Sequence, residues 1–166
     1  FNDDGTANSY VGSVPAGIVY SEGEFICNQY RGNIPVTETG GGFVGFNDDD
    51  ILVVAKTMTE AEAETLNIRD GCEFGPPLII NGEVNQEAYN KASGLNPRSA
   101  IGQREDGAVI FVCIDGRQAG SPGGTYRDVT DIMIEFGAVN ACNLDGGSSS
   151  IMMYRDMHGL FGEAGQ

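Results

Sequence analysis

Residues 108–150 read AVIFVCIDGRQAGSPGGTYRDVTDIMIEFGAVNACNLDGGSSS. The run VIFVCI at 109–114 is apolar at every position, the pattern of a central strand covered on both faces. Residues 125–136 carry Val129, Ile132, Met133 and Phe136 at helical spacing, an apolar stripe that belongs to a core. Thr125, with Asp128 three residues on, supplies an N-cap, and Gly137 supplies the C-terminal stop. Residues 139–144 return as a second buried strand. Strand, helix and strand in this order predict a crossover unit with parallel strands. Asp115 and Asp145 then fall at the C-terminal edge of two strands, the edge that ligand sites in open α/β sheets favour.

Upstream, short apolar runs at 16–20 and 25–27 flank Ser-Glu-Gly-Glu and read as a hairpin. Residues 43–46 and 51–55 flank Asn47-Asp48-Asp49-Asp50 as a second hairpin. Residues 76–80 form a strand entering an Asn81-Gly82 turn. A third hairpin joins 100–103 to 108–114 through Glu105-Asp106-Gly107. A second helix is predicted over 59–70, opened by a capping box from Thr59 to Glu62 and closed before Gly71. Its Ala/Glu-rich middle places it on the surface. The fold class is α+β: a mixed β-sheet with hairpins, at least two helices and one strand–helix–strand crossover near the C-terminus.

With 166 residues, the chain is long enough for one domain with a real core, and a single domain over 1–166 is expected. Charged residues make up 20% and there are 25 glycines, which suits a turn-rich globular domain and not a coiled coil or a disordered tail. The net charge of −15, from 9 basic and 24 acidic side chains, argues against nucleic acid and anionic lipid as partners. No apolar run is long enough to span a bilayer, so no direct membrane insertion is expected. The chain starts at Phe1 without a visible signal peptide, which fits a processed form or an excised domain. Cys27, Cys72, Cys113 and Cys142 make no CxxC pair, which argues against a zinc ribbon. They read as small buried hydrophobes, with one or two disulfides of an exported protein as the alternative.

Chemistry-bearing residues gather between Asn96 and Ser150. Five of the seven arginines (Arg98, Arg104, Arg117, Arg127, Arg155) fall in the later part of the chain, as an anion site or as separate solvated charges. Asp115-Gly116-Arg117 ends an apolar run, so Asp can orient a ligand hydroxyl while Arg pairs with phosphate; a solvated turn is the other reading. Asp145-Gly146-Gly147-Ser148-Ser149-Ser150 offers a tight turn, exposed backbone amides and three hydroxyls. Asn96-Pro97-Arg98-Ser99 precedes the third hairpin, with Arg98 directed into a cleft or into water. Ser121-Pro122-Gly123-Gly124 leads into a helix N-terminus, either an anion site or a loop closed by its own N-cap. Gly40, Gly42 and Gly45 satisfy GxGxxG but run into a hairpin, which rules against a dinucleotide site. Asn47 to Asp50 lacks EF-hand spacing and reads as an acidic hairpin tip. The lone His158 sits in a turn-like Asp-Met-His-Gly, and one histidine excludes a His-rich metal site.

NPRSAIGQREDGAVIFVCIDGRQ, then SPGG with a helix, then GAVNACNLDGGSSS closely resembles the phosphodiester glycosidase domain family. The resemblance is strong over 96–150. It is looser before that, where Pro15-Ala16-Gly17-Ile18-Val19 resembles the family's PxGIV strand and 58–69 its Thr/Ala/Glu helix. The resemblance implies hydrolysis of a sugar-1-phosphodiester of the N-acetylglucosamine-1-phosphodiester kind, in cell-surface glycan or exopolysaccharide metabolism. It also implies an extracytoplasmic or lysosomal setting. No cofactor or metal is expected. Arg98 and Ser99 carry over from NPR[TS], Asp115 and Arg117 from DGR, and Asp145, Gly146, Gly147 and Ser149 from NLDGGGS. Ser148 departs from the family's third glycine. The family's Asn-Gly-Gly-Phe motif falls at or before Phe1, leaving its tail at 1–5, and its last strand falls beyond Gln166. The domain is therefore expected to be truncated at both ends.

The expected mechanism is metal-independent cleavage at the anomeric carbon with phosphate as leaving group. Arg98 and Arg117, helped by the Asp145-Gly146-Gly147 amides, neutralise the phosphate. Asp115 or Asp145 acts as nucleophile or as base for water, and the other binds sugar hydroxyls. Asn96, Ser99, Gly124, Gly146, Gly147, Ser148 and Ser149 complete the expected substrate contacts. A non-catalytic module that binds phosphorylated or acidic cell-surface glycans is the alternative, and a phosphodiesterase cleaving P–O is a third reading.

Overall fold

A computed structural model describes residues 17–26, 30–31, 34–35, 38–155 and 161–164. Cys27, His158, Pro15-Ala16 and the 1–5 tail lie outside the described residues. The chain gathers into two compact units, Phe1–Phe74 and Gly75–Gln166.

The first unit opens with β1 (Val19–Ser21) and β2 (Glu24–Phe25). Their two-residue turn, Glu22-Gly23, has φ of 54° and 79°, the left-handed pair that matches strand twist in a tight hairpin. Short β3 (Tyr30–Arg31) and β4 (Ile34–Pro35) pair with each other. Next come β5 (Phe43–Asn47), β6 (Leu52–Ala55), α1 (Glu60–Thr65) and β7 (Ile68–Glu73). The sheet order is β2-β1-β7-β5-β6, antiparallel throughout. Its core holds Ile18, Tyr20, Phe43, Met58, Ala63 and Ile68.

The capping box of α1 forms as expected: Glu62 N–H donates to Thr59 Oγ1, and Glu62 Oε2 accepts from Thr59 N–H. The helix is shorter than the predicted 59–70. Asn67 takes φ 51° and ends it, and the next residues, instead of continuing to Asp70, form β7. Asparagine tolerates this left-handed stop nearly as well as glycine does. The 47–50 segment is an acidic hairpin tip, with Asn47 Oδ1 accepting from Asp49 N–H and Ile51 N–H at 3.1 and 2.9 Å.

The second unit contains β8 (Pro77–Ile80), β9 (Glu83–Val84), α2 (Gln86–Asn90), β10 (Arg98–Arg104) and β11 (Val109–Ile114). It continues with α3 (Tyr126–Glu135), β12 (Ala138–Asn143), a 3₁₀ turn at Gly147–Ser149, β13 (Met152–Arg155) and β14 (Phe161–Ala164). The main sheet has the order β11-β10-β12-β8-β9. Every ladder in it is antiparallel, so the expected mixed sheet needs refinement. β11 and β12 do run parallel, because each is antiparallel to β10, but β10 lies between them. The crossover through α3 is therefore present and spans one strand. It still delivers the ends of β11 and β12, and the start of β10, to one edge.

Val129 and Met133 of α3 are fully buried against Leu78, Ile79, Ala100 and Ala141. Phe136, expected in the same stripe, is 60% exposed, because it is the C-cap residue where the chain leaves the helix. VIFVCI is an edge strand, not the expected central one. Ile110, Val112 and Ile114 pack on the core, whereas Phe111 on the opposite face is 63% exposed. Among the described cysteines, Cys72, Cys113 and Cys142 are thiols, and Cys142 is buried. Burial pushes the Cys72 thiol pKa up.

Candidate active site

The edge that gathers the ends of β11 and β12 carries a polar cavity of about 560 Å³. Asp115, Gly116, Arg117 and Gln118 line one side, following β11 directly. Gly147, Ser148 and Ser150 line another, following β12, and Pro97 completes the wall.

Pro97 holds the two turns in place. A Cβ on Gly116 would lie 2.6 Å from Pro97 N, so the DGR turn packs against Pro97 only because residue 116 has no side chain. On the other turn, Gly147 N–H donates to Pro97 O at 3.0 Å, and Gly147 takes φ 65° to do so. Asn96 pairs its backbone with Gly124 in both directions, at 3.2 and 2.9 Å. Its side-chain Oδ1 accepts from Arg117 Nη2 at 3.1 Å, which aims the guanidinium.

Arg117 is exposed, and its backbone sits at φ 60°, a conformation that costs a non-glycine residue about 1 kcal/mol. Its guanidinium lies 3.6 to 3.9 Å from the point where a Gly147 side chain would begin. The cation thus lies beside the Gly147–Ser149 turn, in van der Waals range of that point. Asp115 is half-buried; its carbonyl oxygen accepts from Ser121 Oγ at 3.0 Å, which anchors the turn without engaging the carboxylate.

The remaining expected site residues take other positions. Asp145 is exposed, and its Oδ1 accepts from Gly146 N–H at 2.8 Å, so it shapes the turn that brings Gly147 to Pro97. Ser149 is exposed on the 3₁₀ turn, and Gly146 is half-buried against Pro97 O. Ser99 hydrogen-bonds the Cys113 side chain across the β10–β11 ladder and lines a neighbouring groove.

Arg98 is 7% exposed and committed to backbone. Its Nε donates to Gly124 O, and its Nη2 donates to Ser93 O and Gly94 O, at 3.0 to 3.2 Å. The guanidinium carbon also lies 4.3 Å from the Tyr126 ring centroid. Gly124 is buried between Arg98 and Asn96. The geometry thus makes Arg98 and Gly124 parts of the frame behind the cavity. Substituting Arg98 by Ala removes three hydrogen bonds to carbonyls and the packing on Tyr126, and we expect a loss of about 2–3 kcal/mol in urea unfolding. An unchanged midpoint would remove Arg98 from the frame.

Of the two readings of SPGG, the N-cap describes the helix start. Thr125 N–H donates to Asp128 Oδ2, Asp128 N–H donates to Thr125 Oγ1, and Tyr126 N–H donates to Ser93 Oγ. The bonds from Thr125 hold the Asp128 carboxyl below the usual carboxylate range. That carboxylate already occupies the helix N-terminus. The arginines also disperse: Arg104 pairs with Asp106, and Arg127 stacks over Tyr89. Among the described residues, Arg117 is the arginine that lines the cavity. Pro97, Gln118 and Ser150 line it too; the sequence offered Ser150 as one of three hydroxyls but placed none of these three lining residues among the expected site residues. Pro97 and Gln118 sat inside quoted motifs, whereas nothing local separates Ser150 from the two serines before it.

A phosphodiester glycosidase family model matches residues 1–165, so this chain belongs to that family. It is 34% identical over 118 residues to the SPbeta prophage-derived uncharacterized protein YomE of Bacillus subtilis (strain 168). That match covers 68% of this chain and 18% of the relative. Among solved structures, it is similar to the zebrafish N-acetylglucosamine-1-phosphodiester alpha-N-acetylglucosaminidase catalytic domain auto-inhibited by its pro-peptide. The TM-score is 0.62 at 20% identity, over 81% of this chain and 47% of that one, a likeness of fold. The chain thus spans less than half the length of either.

Proposed function

We propose that this chain cleaves a sugar-1-phosphodiester at the anomeric carbon, releasing the sugar from phosphate. One observation carries the reading: an acidic and a basic residue, Asp115 and Arg117, line one polar cavity from a single turn. Family membership supplies the reaction class. A volume of about 560 Å³ suits a hexose and its phosphate. In this reading Arg117, aimed by Asn96, neutralises the phosphate as it departs, and the turn at Gly147 and Ser148 contacts its oxygens. Asp115 acts at the anomeric carbon as nucleophile or as base for water. Asp145 shapes the turn, and Arg98 holds the frame. Phosphate is a weak base and leaves with little acid assistance, which fits a cavity with one carboxylate. Among the described residues no helix is long and apolar enough to cross a membrane. An extracytoplasmic setting and a role on cell-surface glycan form part of the same proposal.

The test incubates the protein with an N-acetylglucosamine-1-phosphodiester in heavy-oxygen water. Free sugar carrying the label at its anomeric hydroxyl is the expected result. Label in the phosphate selects P–O cleavage and overturns the reading. Tight binding without sugar release selects a glycan-binding module instead.

A further inference from the structure

A second cavity of about 480 Å³ lies in the same unit, and its character is opposite. Phe111, Cys113, Leu144, Ile151 and Met153 are among its lining residues, with Ser99, and among the described residues no charged side chain lines it. In a chain of net charge −15, this groove is lined by no carboxylate among the described residues. Phe111 is 63% exposed, Ile151 66% and Met153 62%, so three large apolar side chains stand together in water. Apolar patches of this kind mark binding surfaces.

The groove is continuous with the polar cavity along the chain. Ser150 lines the cavity and the next residue, Ile151, lines the groove. Cys113 lines the groove, and Asp115, two residues on, lines the cavity. Consecutive Cα atoms lie about 3.8 Å apart, so the two linings come within one or two residue spacings of each other, a gap that an alkyl chain of several carbons spans. A phosphodiester has two ester arms. If the sugar arm fills the polar cavity, the second arm leaves from the same phosphorus.

We propose that the groove is the subsite for the second ester arm, and that this arm is an alkyl chain: the substrate is a sugar-1-phospho-alkyl diester of the lipid class. The inference rests on the functional reading above. Methionine and isoleucine walls conform to a flexible aliphatic chain. The Cys113 thiol, pushed up by burial and by the negative charge of Asp115, stays protonated and apolar at neutral pH. In the reaction the bond between the anomeric carbon and the ester oxygen breaks, and its electron pair leaves with the alkyl phosphate. Water supplies hydroxyl to the carbon, and its proton passes through Asp115 to solvent.

The experiment compares the methyl and octyl esters of N-acetylglucosamine-1-phosphate, the octyl ester below its micelle concentration, with wild type, Phe111→Ser and Ile151→Ser. A fully buried methylene is worth about fourfold in affinity. An open groove gives less, so the octyl ester is expected to show a KM about tenfold or more below the methyl ester. Both variants are expected to lose that advantage while turning over the methyl ester as wild type does; the two side chains are exposed and outside the cavity. Equal KM values for the two esters in wild type would overturn the alkyl subsite and leave the functional reading standing. If neither ester releases sugar, the functional reading fails, and calorimetry with octyl phosphate against methyl phosphate decides the groove. A preference for octyl phosphate that Phe111→Ser abolishes upholds the subsite, and no preference overturns it.

Discussion

Replacing Arg117 by glycine is expected to lower kcat/KM by about 10²–10³-fold while leaving the melting temperature unchanged or slightly raised. Under the proposed mechanism, the loss follows from removing the cavity's cation, which neutralises the departing phosphate. The unusual half of the prediction is stability. Arg117 is exposed, so its truncation leaves no hole in a core. Its φ of 60° strains any L-residue with a side chain, and glycine relieves the strain. The hydrogen bond to Asn96 is lost, but that bond lies at the surface. Arginine thus stands where the backbone prefers glycine, a strain that the proposed role of its cation accounts for. Arg117→Lys restores the charge without the planar fork and is expected to recover only part of the activity. Steady-state kinetics with thermal unfolding on the same preparations checks both halves. Full activity in Arg117→Gly would remove this residue from the mechanism.

Substituting Asp115 by Asn is expected to lower kcat by about 10³-fold or more, the scale of losing a nucleophile or base, with KM nearly unchanged. The fold is insulated from this change. Ser121 Oγ binds the carbonyl oxygen of Asp115, which the substitution leaves in place, and Asn is isosteric with Asp. Asp145→Asn provides the comparison. Asn retains an Oδ1 to accept from Gly146 N–H, so the turn that presents Gly147 survives. If Asp145 only shapes the turn, its Asn variant keeps most of the activity. The opposite ranking, with Asp145→Asn inactive and Asp115→Asn active, would exchange the two roles.

Much of the fold was legible because its signals are local. The left-handed turn at Glu22-Gly23 and the capping boxes at Thr59 and Thr125 depend on residues within four positions of each other. The crossover from β11 through α3 to β12 was legible from periodicity, and with it the shared edge for Asp115 and Asp145. Other features escaped for physical reasons. α2 is five residues long and buries one alanine, too short for any period to show. α1 stops at Asn67 because of a backbone conformation that asparagine permits but does not announce. VIFVCI is uniformly apolar, and uniformity cannot distinguish a strand covered on both faces from an edge strand with one face left open as a groove wall.

The candidate site divides in the same way. Residue chemistry alone determined that arginine, carboxylate and glycine turns gather between Asn96 and Ser150, since Asp-Gly-Arg and Asp-Gly-Gly each follow an apolar strand. Only the tertiary structure decided which of them share a cavity. Arg98 and Arg117 carry the same cation, yet Arg98 is enclosed by three carbonyls and the Tyr126 ring while Arg117 stands open beside Gly147. A strand's first residue can turn into the core or toward its edge, and a sequence records the guanidinium but not the neighbours that surround it. Some of those neighbours come from distant segments, as Gly124 lies 26 residues from Arg98, and they meet only after the sheet has formed.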